Sequence, residues 1–176
     1  SKPGSNGYRL SGMTYLAEQF RFGKWVDRDY PKYDFPSRKR LESYSAGFVN
    51  DVIAMVSHKV VSEGMSAEEF VVGSATQFHP VHNPKPYRKS FHIRNIVDEG
   101  YAWTGKGEES KKRYTLPVEQ TDENMMSCGI VVHYGDFAYS NLGDLHGGSW
   151  SANRGKNKGL EPYVADVMGK ITVHKP

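Results

Sequence analysis

The chain has 176 residues, 38% hydrophobic and 24% charged, enough for one domain with a real hydrophobic core. A formal net charge of +3 and a pI near 8.8 are too mild to indicate nucleic-acid binding by charge alone. No apolar run approaches the ~18 residues of a membrane span, and no charged-then-apolar leader stands at the start.

"RLSGMTYLAEQF" (9–20) places Leu10, Met13, Leu16, Ala17 and Phe20 near helical spacing and predicts a short helix, weakened by Gly12. An aromatic-rich connection with a short strand or turn around "KWVDR" follows. From Arg38 to about Gly64, Phe48, Val49, Val52, Ile53, Val56 and Val60 recur every three or four residues, the pattern of a long amphipathic helix. Ser37 is placed to cap it and Gly64 to stop it. The "SRKR" beside its start (37–40) reads as a solvated helix end.

Phe70–Val72 and Gln77–Val81 then read as strand pieces around a "GSA" turn, and "FHIRNIVDEGYAWTG" as a strand or hairpin. Residues 106–126 are polar and turn-rich, a long surface loop. The clearest hairpin is "CGIVVHYGDFAYSNLGD". Ile130, Val132 and Tyr134 fall on one face, Val131 and His133 on the other, with Gly135-Asp136 as a two-residue turn. A glycine-rich loop (147–159), a short helix in "LEPYVADVMGK" and a last strand in "KITVH" complete a mixed α/β or α+β pattern in one domain spanning 1–176.

Asp144 follows a strand and precedes glycines. Strand ends hold reactive groups rigidly while adjacent loops leave room for a ligand, and a carboxylate there can bind Zn²⁺ or Mn²⁺. Gly-Asp is equally an ordinary turn pair, and spacing alone leaves both readings open. His146, two residues on, is a second metal-ligand candidate if the backbone stays extended. His79 and His82 read as loop residues, and the remaining histidines are dispersed. Cys128, the one cysteine, excludes an internal disulfide or a Cys-rich zinc site and reads as a buried structural thiol. Neither a G-x-S-x-G elbow nor a phosphate-binding P-loop occurs.

The segment "DENMMSCGIVVHYGDFAYSNLGDL" (122–145) resembles the later half of metallo-β-lactamase-fold hydrolases, especially the branch similar to the hydrolase domain of DNA-uptake competence proteins. The residues that carry it are Asn124 and Ser127 before a strand, Tyr134-Gly135 at a turn, and Gly143-Asp144 after the next strand. "VADVMGKITVHKP" looks like the helix and strand leading into that family's later ligand loop, and residues 1–20 like the stretch after its H-x-H-x-D-H signature. The resemblance covers about the last third of the chain, and the earlier two thirds only loosely.

It implies part of an αββα sandwich, with Asp144 as the carboxylate bridging two metal ions, Zn²⁺ or Mn²⁺. The H-x-H-x-D-H motif and the terminal histidine loop are absent from the 176 residues, and His174 precedes the place of that loop. The expectation is therefore a middle-to-late piece of a longer hydrolase, inactive alone. The alternative is a non-catalytic module whose aromatic and basic loops hold nucleic acid or glycan.

Overall fold

The computed structural model describes residues 2–4, 6–113, 124–145 and 160–175. Helices and a six-stranded sheet coexist, so the class is mixed α+β as the patterning predicts. The chain divides into two compact units, Ser1–Glu69 and Phe70–Pro176. Among the described residues no helix is long and apolar enough to cross a membrane.

The first unit contains β1 (Lys2–Pro3), β2 (Arg9–Leu10), α1 (Met13–Gln19), β3 (Lys24–Asp27), α2 (Arg38–Glu63) and β4 (Ser66–Glu69). The predicted caps of α2 are in place. Ser37 accepts a hydrogen bond from the Arg40 N–H, and Gly64 ends the helix in the left-handed region. The predicted face is the buried one through its middle and end: Val56 enters the core with Met55, Tyr8, Ala17 and Met65, and Val52 and Val60 pack against it, while Phe48 is exposed. On α1 the buried residues are Thr14 and Ala17, and Met13, Leu16 and Phe20 face outward. The Thr14 hydroxyl bonds back to the Arg9 and Ser11 carbonyls, and Ala17 packs with Met55 and Val56 of α2. β3 pairs in parallel with β4, from Lys24 opposite Ser66 to Asp27 opposite Glu69.

The second unit is built on one sheet, in the order β10-β9-β8-β5-β6-β7. Its strands are β5 (Phe91–Asp98), β6 (Tyr101–Trp103), β7 (Ser110–Lys112), β8 (Gly129–Tyr134), β9 (Phe137–Asn141) and β10 (Val173–Lys175), with helix α3 at Glu161–Met168. All pairings are antiparallel except β9 with β10. The predicted hairpin is present with its turn at Gly135-Asp136 and Val132 opposite Tyr139. Val131, Ile96, Val97, Ala102 and Leu142 pack with Leu160 and Val164 around α3 to form the core.

Two expectations in this unit are overturned. Residues 70–90 carry no strand; they run as loop with one 3₁₀ turn at Lys85–Tyr87. Part of the polar loop pairs as edge strand β7, which is fully exposed and so shows no apolar pattern. Residues 114–123 and the glycine-rich segment 147–159 lie outside the described residues.

The 70–90 segment is tied to β5 where the ladder is irregular between Asn95 and Val97. Asn95 is completely buried. Its amide donates to the Val71 carbonyl at 3.0 Å and to Gln77 Oε1 at 2.5 Å. Its backbone exchanges bonds with Gly73 and Ser74. Truncating a buried side chain that makes two hydrogen bonds costs about 1–3 kcal/mol. Asn95→Ala is expected to lower stability by about 2 kcal/mol in urea denaturation. A change below ~0.5 kcal/mol would show that the 71–77 loop is not anchored through this amide.

Candidate functional site

The β8–β9 hairpin sets the site. β9 stops at Asn141, and the chain reverses between two buried leucines, Leu142 and Leu145. The Leu145 N–H bonds the Leu142 carbonyl at 3.1 Å, closing a turn with Gly143 and Asp144 at its centre. The Asn141 side chain accepts the Gly143 N–H at 3.0 Å. Ser127, at the entry to β8, accepts the Asp144 N–H on its Oγ at 3.2 Å. Gly143 has φ of 67°, and a Cβ there would lie 3.0 Å from Ser127 Cβ and Oγ. Both the backbone sign and the close approach of Ser127 therefore require glycine.

The parallel strand β10 completes the surround. Its Lys175 lies opposite Asn141, and the Lys175 carbonyl accepts the Leu142 N–H at 3.2 Å. The Lys175 ammonium donates to the Gly143 carbonyl at 2.7 Å and sits 3.7 Å from Asp144 Oδ1. The Asp144 side chain remains 75% exposed, so this ion pair is screened by water and contributes little to stability. The carboxylate is held by its backbone, at a strand end, and is open to solvent.

The residues of the sequence pattern separate into two places. Asn124 begins a 3₁₀ turn, and its carbonyl accepts the Ser127 N–H at 3.3 Å. Asn124 and Ser127 thus precede β8, beside Gly143 and Asp144, whereas Tyr134-Gly135 lies at the opposite end of the hairpin. His146 lies outside the described residues. His174 bonds Ser140 through Nδ1 at 2.6 Å. Cys128 is half-buried rather than buried, with Sγ 3.6 Å from Asp98 Oδ1. Among the described residues no three His, Cys, Asp or Glu side chains are grouped to hold a metal ion. A single carboxylate beside an ammonium is not by itself a metal site.

Two features were not foreseen from sequence. Lys59 is 4% exposed and pairs with Glu63 at 2.6 Å and Glu18 at 3.6 Å, while the Tyr8 hydroxyl donates to Glu18. Burial pulls the Lys59 pKa down, but the bond to Glu63 and the charges of Glu18 and Glu63 outweigh it, and the ammonium titrates above its ordinary value. The i,i+4 spacing of Lys59 and Glu63 is legible in the sequence; Glu18 reaches them only through the packing of α1 on α2. The second feature is an apolar pocket of about 510 Å³ walled by Phe78, His79, Pro80, Tyr87, Phe91, Ile93 and Tyr134. Its outer rim is the exposed rings of Tyr87 and Tyr134, 6.3 Å apart.

Compared with models of known protein families, with curated proteins and with solved structures, the chain shows no match.

Proposed function

We propose that this chain is part of a metal-dependent hydrolase of the metallo-β-lactamase superfamily, in which Asp144 supplies one carboxylate to a dinuclear Zn²⁺ or Mn²⁺ centre. The observation that carries the reading is the Gly143-Asp144 turn. It presents a solvent-open carboxylate at a strand end, with its backbone fixed by Asn141, Ser127 and β10. The sequence pattern from Asn124 to Asp144 supports the same assignment. The remaining ligands would come from residues beyond these 176, so the chain by itself is without hydrolytic activity. The metal ions would supply Lewis acidity and a water activated near neutral pH.

The test is to read the coding sequence on both sides and express the extended chain. An H-x-H-x-D-H upstream, a histidine downstream, two bound metal ions and turnover on an ester, thioester, lactam or phosphodiester panel would support the reading. An extended chain that binds no metal with Asp144 intact would end it.

A second reading is favoured by one observation. Residues 70–91 contain no Asp or Glu, yet carry Lys85, Arg88 and Lys89 in the same stretch as Phe78, Tyr87 and Phe91, which wall the aromatic pocket. Cations that track a phosphate backbone beside rings that stack bases form a single-strand nucleic-acid surface. On this reading Tyr87→Ala weakens binding of a fluorescein-labelled oligonucleotide by about 5–150-fold, the range of one lost stacking contact. Fluorescence anisotropy that does not change with protein, or is the same for wild type and Tyr87→Ala, excludes it.

A further inference from the structure

His92 on β5 and His133 on β8 are direct cross-strand partners. Their rings lie 4.4 Å apart, 16° from parallel. Both side chains stand on the sheet face that carries Val131, but beyond the part of that face covered by α3. Val131 is buried there with Leu160 and Val164, whereas His92 is exposed and His133 half-buried. The residue opposite His133 on β9 is the small Ala138.

Neither ring makes a hydrogen bond or ion pair among the described residues, unlike His174, which is taken up by Ser140. The neighbouring cation is engaged elsewhere. Arg94 donates to the Gly73 and Gly107 carbonyls at 2.5 and 2.9 Å and lies 4.7 Å over the Trp103 ring. Desolvation, His133 and Arg94 all lower the pKa of His92. Neutral imidazole is the form whose free nitrogen lone pair binds metals.

We propose that His92 and His133 form a two-histidine site for a divalent transition-metal cation of the Cu²⁺, Ni²⁺ or Zn²⁺ type, with water completing its coordination. A metal–nitrogen distance of about 2.0–2.1 Å asks two ligand nitrogens to come roughly 3.2 Å apart. From the stacked arrangement both imidazoles would rotate about their side-chain torsions to turn their nitrogen lone pairs onto one cation. Imidazole without a carboxylate selects these borderline cations over Mg²⁺ and Ca²⁺. The site is separate from the Asp144 turn and independent of the hydrolase reading.

The experiment is titration of the 176-residue chain with CuCl₂ and ZnCl₂ in a non-chelating buffer, with histidine ring resonances followed by NMR. Substoichiometric Cu²⁺ is expected to broaden His92 and His133 before any other histidine. His92→Ala, His92→Gln and His133→Ala are each expected to weaken Cu²⁺ binding at least 10-fold and to remove the rise in Tm caused by Zn²⁺. His174→Ala is expected to leave both unchanged. Folding of every variant is checked by circular dichroism, and two substitutions at exposed His92 guard against loss of fold at one of them. Wild-type affinity in the His92 variants, earlier broadening of another histidine, or no Cu²⁺ binding at micromolar concentration would overturn the proposal.

Discussion

On the proposed hydrolase reading, Asp144→Asn in an extended chain is expected to reduce metal-dependent hydrolysis by at least about 100-fold and to lower metal occupancy, while leaving the fold intact. The two halves of that expectation come from different features. The side chain is 75% exposed and its ion pair with Lys175 is long, at 3.7 Å. Removing its charge therefore withdraws little stability. What holds the turn is backbone: the Gly143 N–H on Asn141, the Asp144 N–H on Ser127, and the Leu142 N–H on the Lys175 carbonyl. All three survive in the Asn variant. Asparagine keeps the shape but not the negative charge, and a carboxylate between two cations acts through that charge. Metal analysis with thermal denaturation separates the effects. Unchanged metal content and turnover in the variant would remove Asp144 from the site, and a Tm drop of more than a few degrees would make its role structural.

Gly73→Ala carries the largest expected effect on stability. Gly73 has φ of 91°, where an L side chain is strained, and its Cβ would collide with the carbonyl oxygen of Glu108. The Glu108 carbonyl carbon and Cα would also lie at 2.7 and 3.1 Å, so the obstacle is backbone and cannot rotate away. Gly73 is held from both sides. Its N–H donates to the Asn95 carbonyl at 2.8 Å, and its own carbonyl accepts from Arg94. Positive-φ strain of about 1–2 kcal/mol adds to an overpacking cost of about 1–3 kcal/mol. A loss of about 3 kcal/mol is expected, larger than for Asn95→Ala, and urea denaturation checks it. A loss below 1 kcal/mol would mean that the 71–77 loop moves off Glu108 at little cost.

What was legible in the sequence was local. Ser37 and Gly64 act within one turn of the helix they bound, and the β8–β9 hairpin needs only alternation and a two-residue turn. The errors arose where distant partners decide. Ser66–Glu69 is polar and has no strand pattern, but β3 gives it a parallel ladder. Phe70–Val72 has the pattern and no ladder, because its backbone and the following turn are drawn to Asn95 of β5. Phe48 has helical spacing but no partner in the core, whereas Lys59 is buried because Glu63 and Glu18 neutralise it. At the site the same division holds. The strand-end place of Asp144 was readable from Gly143 and the hairpin before it. The Ser127 oxygen under its N–H and the Lys175 ammonium beside it depend on pairings across 17 and 31 residues, which no local pattern encodes.

The strand order has a consequence for how the sheet meets other chains. Its outermost members, β7 and β10, are three residues each, and they bring Lys111, Lys112 and Lys175 to the two margins. The long, apolar strands β5 and β8 occupy the middle, flanked on both sides. Short margins lined with lysine are poor templates for an incoming strand. The arrangement thus protects the most aggregation-prone segments of the sequence from edge-to-edge polymerisation once the sheet has formed.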